Sequence, residues 1–419
     1  MHLNLAEALV VKQDNVFLVI PRDGNVPADG SHAFGLWYRD CRFLSVYELL
    51  IDGEAPVLLQ ASDALGTVAL HELTDHERSL AVRWERVVAA PGSLTERLVV
   101  SNHRREQVRL QLDLRLAADF EPMLAIRGLV ARGGRPPARV EADGAGLSFW
   151  ARGRDGVVRK TAVEFGEEPE RIDLGPDASA SARFEIDLAA GAAHELTLSF
   201  CASEGDAPSA GIVPLRRVPE RTKVVTGDEL FNRVLARSLQ DLGLLRSALG
   251  RHSYYSAGVP WYATLFGRDS LISAMQMLAF EPDTAADTLR LLGGLLGREH
   301  DDARDEQPGK VLHELRVGEP ATLGETPFAR YYGTADATPL WLTLLCDHAD
   351  WSGSLDLFRE LRPQVDAALD WIDRHGDLDG DGLIEYRRRA EHGLANQGWK
   401  DSWDAVSYTH LTLPTTPYV

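Results

Sequence analysis

The stretch Val108-Arg-Leu-Gln-Leu-Asp-Leu-Arg-Leu116 places an apolar residue at every second position. That period puts them all on one face of a strand, leaving the other face wet, as in an antiparallel sandwich. Working outward, Val82-Arg-Trp-Glu-Arg-Val-Val88 includes the same alternation. Val16-Phe-Leu-Val-Ile20 is a short apolar run ended by Pro21, residues 43–51 read as one strand closing on Asp52-Gly53, and Glu195-Leu-Thr-Leu-Ser-Phe200 reads as another. Asp23-Gly24, Asp29-Gly30, Gly134-Arg-Pro-Pro137 and Asp143-Gly-Ala-Gly146 are turn and loop signals between them. Many short strands set apart by Gly and Pro favour an antiparallel β-sandwich over residues 1–205, and the pattern leaves a barrel open.

After a connector at 203–225, with the linker placed at 206–226, the period changes. Asp228 is positioned to cap a helix whose apolar residues include Phe231, Val234, Leu235, Leu239 and Leu242. Further helices are expected over 270–280, 284–297 with Gly293-Gly294 in its middle, 339–349 with Pro339 in its first turn, and 355–375, stopped by Gly376. The fold class is multidomain, β then α, with the all-α part over 227–406. Long Gly-rich and aromatic loops join its helices, and loops of that length in a compact domain are usually functional.

Bulk composition removes whole classes of function. With 63 acidic against 44 basic residues, the net charge is -19. A basic face for phosphate is therefore not expected, which excludes nucleic acid as a partner and suits a neutral or cationic ligand. No apolar run approaches the ~20 residues of a membrane helix, so no membrane partner is expected. Residues 1–20 carry Glu7, Lys12 and Asp14 with no basic leader before an apolar core, so no secretory signal is read and the cytoplasm is the expected location. Cys41, Cys201 and Cys346 lie far apart without metal-ligand spacing and are expected as reduced, buried thiols. His300, His313 and His392 stand singly and read as surface or loop residues. No phosphate loop, dinucleotide fingerprint or Ser/His/Asp arrangement is present, so no cofactor is expected.

Three segments carry candidate chemistry. Asn396-Gln-Gly-Trp-Lys-Asp-Ser-Trp-Asp404 gathers two indoles, a lysine and two carboxylates in one loop. Indole faces suit stacking on sugar rings. A carboxyl held between them is poorly solvated and its pKa rises, as a general acid near neutral pH requires. The candidates are Trp399, Lys400, Asp401 and Trp403; a Trp-rich turn that seals a helical core is an equal alternative. Ala257-Gly-Val-Pro-Trp-Tyr-Ala-Thr-Leu-Phe-Gly-Arg-Asp-Ser270 offers Trp261 and Tyr262 as a subsite wall. Its Arg268-Asp269 is a fork of donors and acceptors for vicinal hydroxyls, or an N-cap Asp with a neighbouring salt bridge. Tyr331-Tyr-Gly-Thr-Ala-Asp-Ala-Thr-Pro339 repeats that logic with Tyr332 and Asp336, where Asp336 also reads as a plain N-cap. Asp377-Leu-Asp-Gly-Asp-Gly-Leu-Ile-Glu-Tyr386 opens like an EF-hand loop, but Arg388 stands at the twelfth position instead of the bidentate Glu. It reads as a tight Asp/Gly turn without a metal, and its Glu385 joins the substrate-binding candidates.

Together these loops resemble the bacterial glycogen-debranching, amylo-α-1,6-glucosidase family. Gly35-Leu-Trp-Tyr-Arg-Asp-Cys-Arg-Phe43 resembles that family's N-terminal β domain, and the segments at 258–270, 332–339 and 396–402 resemble successive loops of its (α/α)6 toroid. The resemblance covers residues 10 to 406. It implies a β-sandwich followed by the first, incomplete part of a toroid, acting on α-glucans or oligosaccharides. It further implies inverting hydrolysis, Arg268 and Asp269 holding the sugar at the cleaved bond, and Asp401 as the general acid. In that family the base comes from a later toroid loop, and no position of this chain matches it. The expectation is therefore a truncated, inactive glycoside hydrolase fragment. Its tail, Ser407-Tyr-Thr-His-Leu-Thr-Leu-Pro-Thr-Thr-Pro-Tyr-Val419, resembles translated sequencing-adapter DNA and is expected to be non-native. Another inverting toroid glycosidase, trehalase-like or an α-1,4-glucosidase, and a non-catalytic glucan-binding protein are the alternatives. Oligomeric state is not legible.

Overall fold

The computed structural model describes residues 8–28, 32–64, 67–73, 79–89, 92–144, 146–205 and 224–399. Most of the expected connector, the Asp29-Gly30 turn, Lys400, Asp401, Trp403 and the tail at 407–419 lie outside the described residues.

Strands fill the first half and pair antiparallel. Ala8–Gln13, Val16–Pro21, Gly35–Tyr38 and Cys41–Leu44 form a four-stranded sheet in that order. A second sheet runs Arg171–Gly175, Ser179–Leu188, Val108–Ala117, Val46–Ile51. The largest has eight strands: Arg139–Asp143, Gly146–Arg152, Val158–Phe165, Ala193–Glu204, Ser93–Asn102, Leu80–Ala89, Thr67–Leu73 and Val57–Ala64. All three sheets contribute to one apolar core. The alternation at 108–116 sets its register: Leu110, Leu112, Leu114 and Leu116 are buried while the strand pairs from Val108 opposite Leu188 to Ala117 opposite Ser179.

The single strand expected over 43–51 is two. The chain turns at Ser45, whose amide bonds to Ala117 O at 2.8 Å, and passes from the first sheet into the second. Phe43, Leu44, Tyr47, Leu49 and Ile51 are all buried, so the apolar pattern continues around the corner and conceals it.

A charge is sealed inside this β-rich part. Arg86 and Glu96 are fully buried and 3.1 Å apart. The Glu96 carboxylate also accepts from Tyr47 Oη and Trp84 Nε1, both at 2.6 Å, and the guanidinium lies 3.5 Å from the Trp84 ring centroid. Burial raises the Glu96 pKa, against the pull of Arg86 and these donors.

Helices dominate from residue 229. Glu229–Leu245 is capped by Asp228, which accepts from Phe231 N at 3.0 Å. None of its residues is fully buried, and Leu230, Phe231 and Val234 are exposed. Gly267–Met277, Pro282–Gly294, Ala337–Ser352 and Arg362–Trp371 pack around a second core that includes Leu271, Leu289, Leu292, Trp341 and Val365. Gly293 and Gly294 end their helix instead of interrupting it, and a Cβ on Gly293 would come 3.2 Å from Trp341. The helix expected over 355–375 is broken into Asp356–Glu360, Arg362–Trp371 and a π turn at Ile372–Gly376. Pro363 lacks an amide hydrogen and sits in the first turn of the second piece, where that loss costs nothing. Cys41 is buried as expected, but Cys201 is half-buried and Cys346 is exposed, because Trp341, Leu344 and Leu345 hold the core side of its helix. Among the described residues no helix is long and apolar enough to cross a membrane.

The two parts meet along a mixed seam. Val259, Trp261 and Ala263 pack against Phe17, Val19, Trp37, Met123 and Ile126. Lys12 Nζ donates to Ser247 Oγ at 2.7 Å, Arg154 pairs with Glu319 at 2.9 Å, and Arg316 pairs with Asp40 at 3.1 Å.

Glu96→Ala leaves the Arg86 charge buried without its partner and should cost about 3–5 kcal/mol. Denaturant unfolding followed by tryptophan fluorescence measures it; a loss under about 1 kcal/mol would show that water reaches the pair.

Candidate functional site

A cavity of about 960 Å³ opens at the seam. Its walls come from both parts of the chain. Leu124, Arg127 and Leu129 come from the β-rich part; Tyr262, Phe266, Arg268 and Asp269 come from the loop and first turn of Gly267–Met277. His313, Glu314 and Arg316 form its floor, and Phe328 and Trp399 add aromatic surface.

Local sequence explains the placement. Leu265–Phe266 pairs with Glu314–Leu315, Phe266 opposite Glu314. Gly267 then donates its amide to His313 O at 2.8 Å, and a Cβ there would lie 2.0 Å from Leu312 O, so only glycine permits this approach. The helix that follows carries Arg268 and Asp269 in its first turn, at the cavity wall. Arg268 Nη1 binds Asp336 Oδ2 and Gly398 O, both at 2.8 Å, and its guanidinium lies 5.8 Å from the Trp399 ring centroid. Trp399 is 66% exposed, so its ring is offered to the cavity rather than sealed in a core.

The segment carrying Trp399 is tied down by Asp305, a residue with no motif around it. Asp305 has a left-handed backbone (φ 51°) and is buried. Its carboxylate accepts from Arg389 N (2.6 Å), Ala390 N (3.0 Å), Tyr331 Oη (2.8 Å) and Gln397 Nε2 (2.9 Å). Asn396 Oδ1 adds bonds to Tyr386 Oη at 2.7 Å and Gly398 N at 3.1 Å. The opening of the Trp-rich loop is thus a buried polar knot, with its indole at the edge.

Of the sequence candidates, Tyr262, Arg268, Asp269 and Trp399 are brought together on the cavity. Trp261 is not on it: the ring packs into the seam, and its carbonyl accepts from Arg316 Nη2 at 2.9 Å. Tyr332 is a core residue, fully buried, donating to Leu295 O at 2.9 Å. Asp336 occupies the N-cap position but makes no cap bond; it holds Arg268 instead. Asp269 is not an N-cap either, since its helix begins at Gly267. Glu385 accepts from Leu378 N at 2.8 Å within the acidic loop and does not line the cavity. In that loop Asp377 accepts from the amides of Gly380 and Gly382, as a tight Asp/Gly turn, with oxygens of Asp377, Asp379 and Glu385 within 4.8 Å of one another. Lys400, Asp401 and Trp403 follow the last described residue.

His313 reads as a loop or surface residue by sequence, yet it is 3% exposed with its ring edge-on to Phe266 and Tyr331. Burial, reinforced by Arg268, Lys310 and Arg316, pushes its pKa down to about 3, so the ring is neutral; its Nδ1 has no hydrogen-bond partner. Burial likewise pushes Glu314 up to about 7 and Lys310 down to about 8. No periodicity announces the floor, because its strand is only the two residues Glu314–Leu315 and Arg316 follows it.

Asp305→Ala removes four acceptor contacts at once. Hydrogen exchange of the Arg389 and Ala390 amides should speed by about two orders of magnitude, roughly 3 kcal/mol of lost local protection. Unchanged exchange there would mean that the knot is held elsewhere.

Residues 11–199 match the family model for the N-terminal domain of (some) glycogen debranching enzymes. The chain has no match among curated proteins. Among solved structures, one described as "Putative kojibiose phosphorylase from human microbiome" aligns with TM-score 0.52 and 9% identity, over 87% of this chain and 57% of that one. A galactose mutarotase-like protein from Lactobacillus casei ATCC 334 aligns with TM-score 0.30 and 9% identity, over 47% of this chain and 100% of that one. This chain thus spans little more than half of the first neighbour, to which it is similar in fold. By sequence, its β-rich part is similar to the N-terminal domain of some glycogen debranching enzymes.

Proposed function

We propose that this chain belongs to a glycoside hydrolase of the amylo-α-1,6-glucosidase, glycogen-debranching type, acting on α-glucans. The observation that carries the reading is the cavity itself, which joins aromatic faces to charged hydrogen-bonding groups. Tyr262, Phe328 and Trp399 offer faces for the C–H side of a sugar ring. Arg268 and Asp269 supply donors and acceptors for its hydroxyls. The match of residues 11–199 to a debranching-enzyme domain supports the substrate class.

In this reading the helical part is the first portion of an (α/α)6 toroid whose loops make the pocket. Asp401, two residues after Trp399, is the general acid that protonates the glycosidic oxygen. The reaction inverts the anomeric carbon, with a second carboxylate activating water from the opposite face. That base is not assigned to a residue of this chain. Arg268, held by Asp336, orients the sugar at the cleaved bond. Lys400 and Trp403 complete the substrate contacts.

The test is sugar release from an α-1,6-branched oligosaccharide by the product of the full gene. Asp401→Asn should lower turnover about 10²–10⁴-fold with sugar binding largely kept. Unchanged turnover would move the acid to another residue. Release of glucose 1-phosphate that depends on inorganic phosphate would instead make the protein a phosphorylase, the activity in the structural neighbour's name.

A further inference from the structure

The floor of the cavity holds an ionisable group that the proposed mechanism does not use. Glu314 is 5% exposed and lines the cavity. Its Oε2 accepts from Arg316 Nε at 3.3 Å. Arg316 is itself shared. Its Nη1 reaches Asp40 Oδ1 at 3.1 Å and its Nη2 donates to Trp261 O at 2.9 Å. Asp40 also accepts from Val317 N at 3.2 Å. Two buried carboxylates thus compete for one guanidinium, and Asp40 has the shorter and more numerous bonds. Glu314 is the less compensated of the two. Where like charges share one counterion in a dry site, a proton on one of them relieves the cost.

We infer that Glu314 is a further substrate-contacting residue, a carboxylic acid presented on the cavity floor that donates a hydrogen bond to a hydroxyl of the bound carbohydrate. The inference rests on the carbohydrate reading above and deepens it. Arg316 and Asp40 act as positioning residues, keeping the acid group in place and setting its charge. A neutral sugar seated on Glu314 displaces the water that would solvate a carboxylate, so binding and protonation favour each other. Affinity is then greatest below pH 7 and declines as the pH rises through it, since burial already places Glu314 at about 7.

Other charges face this group. Arg316 and the neutral His313 flank its two-residue strand, Arg127 comes from the β-rich part, and Arg268 and Asp269 come from the helix start on the same cavity. Glu325 and His392 line the cavity farther along the chain. A substitution that removes only the titration of Glu314 separates it from these.

The experiment is calorimetric titration of the 419-residue chain with maltotetraose and isomaltotriose at pH 6, 7 and 8. It compares wild type, Glu314→Gln and Glu314→Ala, with thermal unfolding of each as the folding control. The amide of Glu314→Gln keeps a donor but cannot ionise. It should hold the wild-type affinity of pH 6 and be flat with pH. Glu314→Ala should bind about tenfold more weakly at pH 6. The inference is overturned if Glu314→Ala binds like wild type, or if Glu314→Gln retains the wild-type pH dependence or loses affinity. If Glu314→Ala does not fold, the pH profile of Glu314→Gln decides alone. Wild type that binds neither sugar would instead sink the carbohydrate reading on which this rests.

Discussion

Arg316 and Asp40 stand 276 residues apart in the chain and 3.1 Å apart in the fold. Both are buried, and the guanidinium also reaches Glu314 and the Trp261 carbonyl. A half-made version of this contact would leave charge in a dry seam, which costs several kcal/mol per ion. The β-rich and helical parts are therefore held to one relative placement. That placement brings Leu124 and Arg127 to one cavity with Tyr262 and Phe266, Arg127 donating to Tyr262 Oη at 2.7 Å.

The chain carries a net charge of -19, but the cavity walls set the guanidiniums of Arg127, Arg268 and Arg316 beside Asp269, Glu314 and Glu325. Each has a local partner: Tyr262 Oη for Arg127, Asp336 for Arg268, Asp40 and Glu314 for Arg316. Guanidiniums so occupied present fixed, partly neutralised groups rather than free charge. That suits a ligand rich in hydroxyls more than an anion.

Strand alternation was legible at 108–116 because one side chain in two must leave the core. The corner at Ser45 was not, since a strand that changes sheets stays apolar on both sides of the bend. For the site, aromatic residues near a glycine and a carboxylate singled out Tyr262 and Trp399, which line the cavity, and equally Trp261 and Tyr332, which do not. An indole or phenol that packs into a seam has the same chemistry as one that stacks on a ligand, and burial alone separates them. Asp305 and His313 were missed for the opposite reason. Their roles come from partners far along the chain, Arg389 to Gln397 for one and the Phe266 ring for the other, and no spacing within their own segments announces it.

The mixed parentage of the cavity walls has a thermodynamic consequence. A cavity lined from both sides of a seam is complete while that seam is closed. Any molecule that fills it binds the docked arrangement in preference to the parted one, and its binding free energy is added to the association of the two parts. By reciprocity, whatever tightens the seam raises affinity for the occupant by the same factor. Occupancy and docking are then two readings of one equilibrium. The Arg316–Asp40 contact, made across the seam, takes part in both.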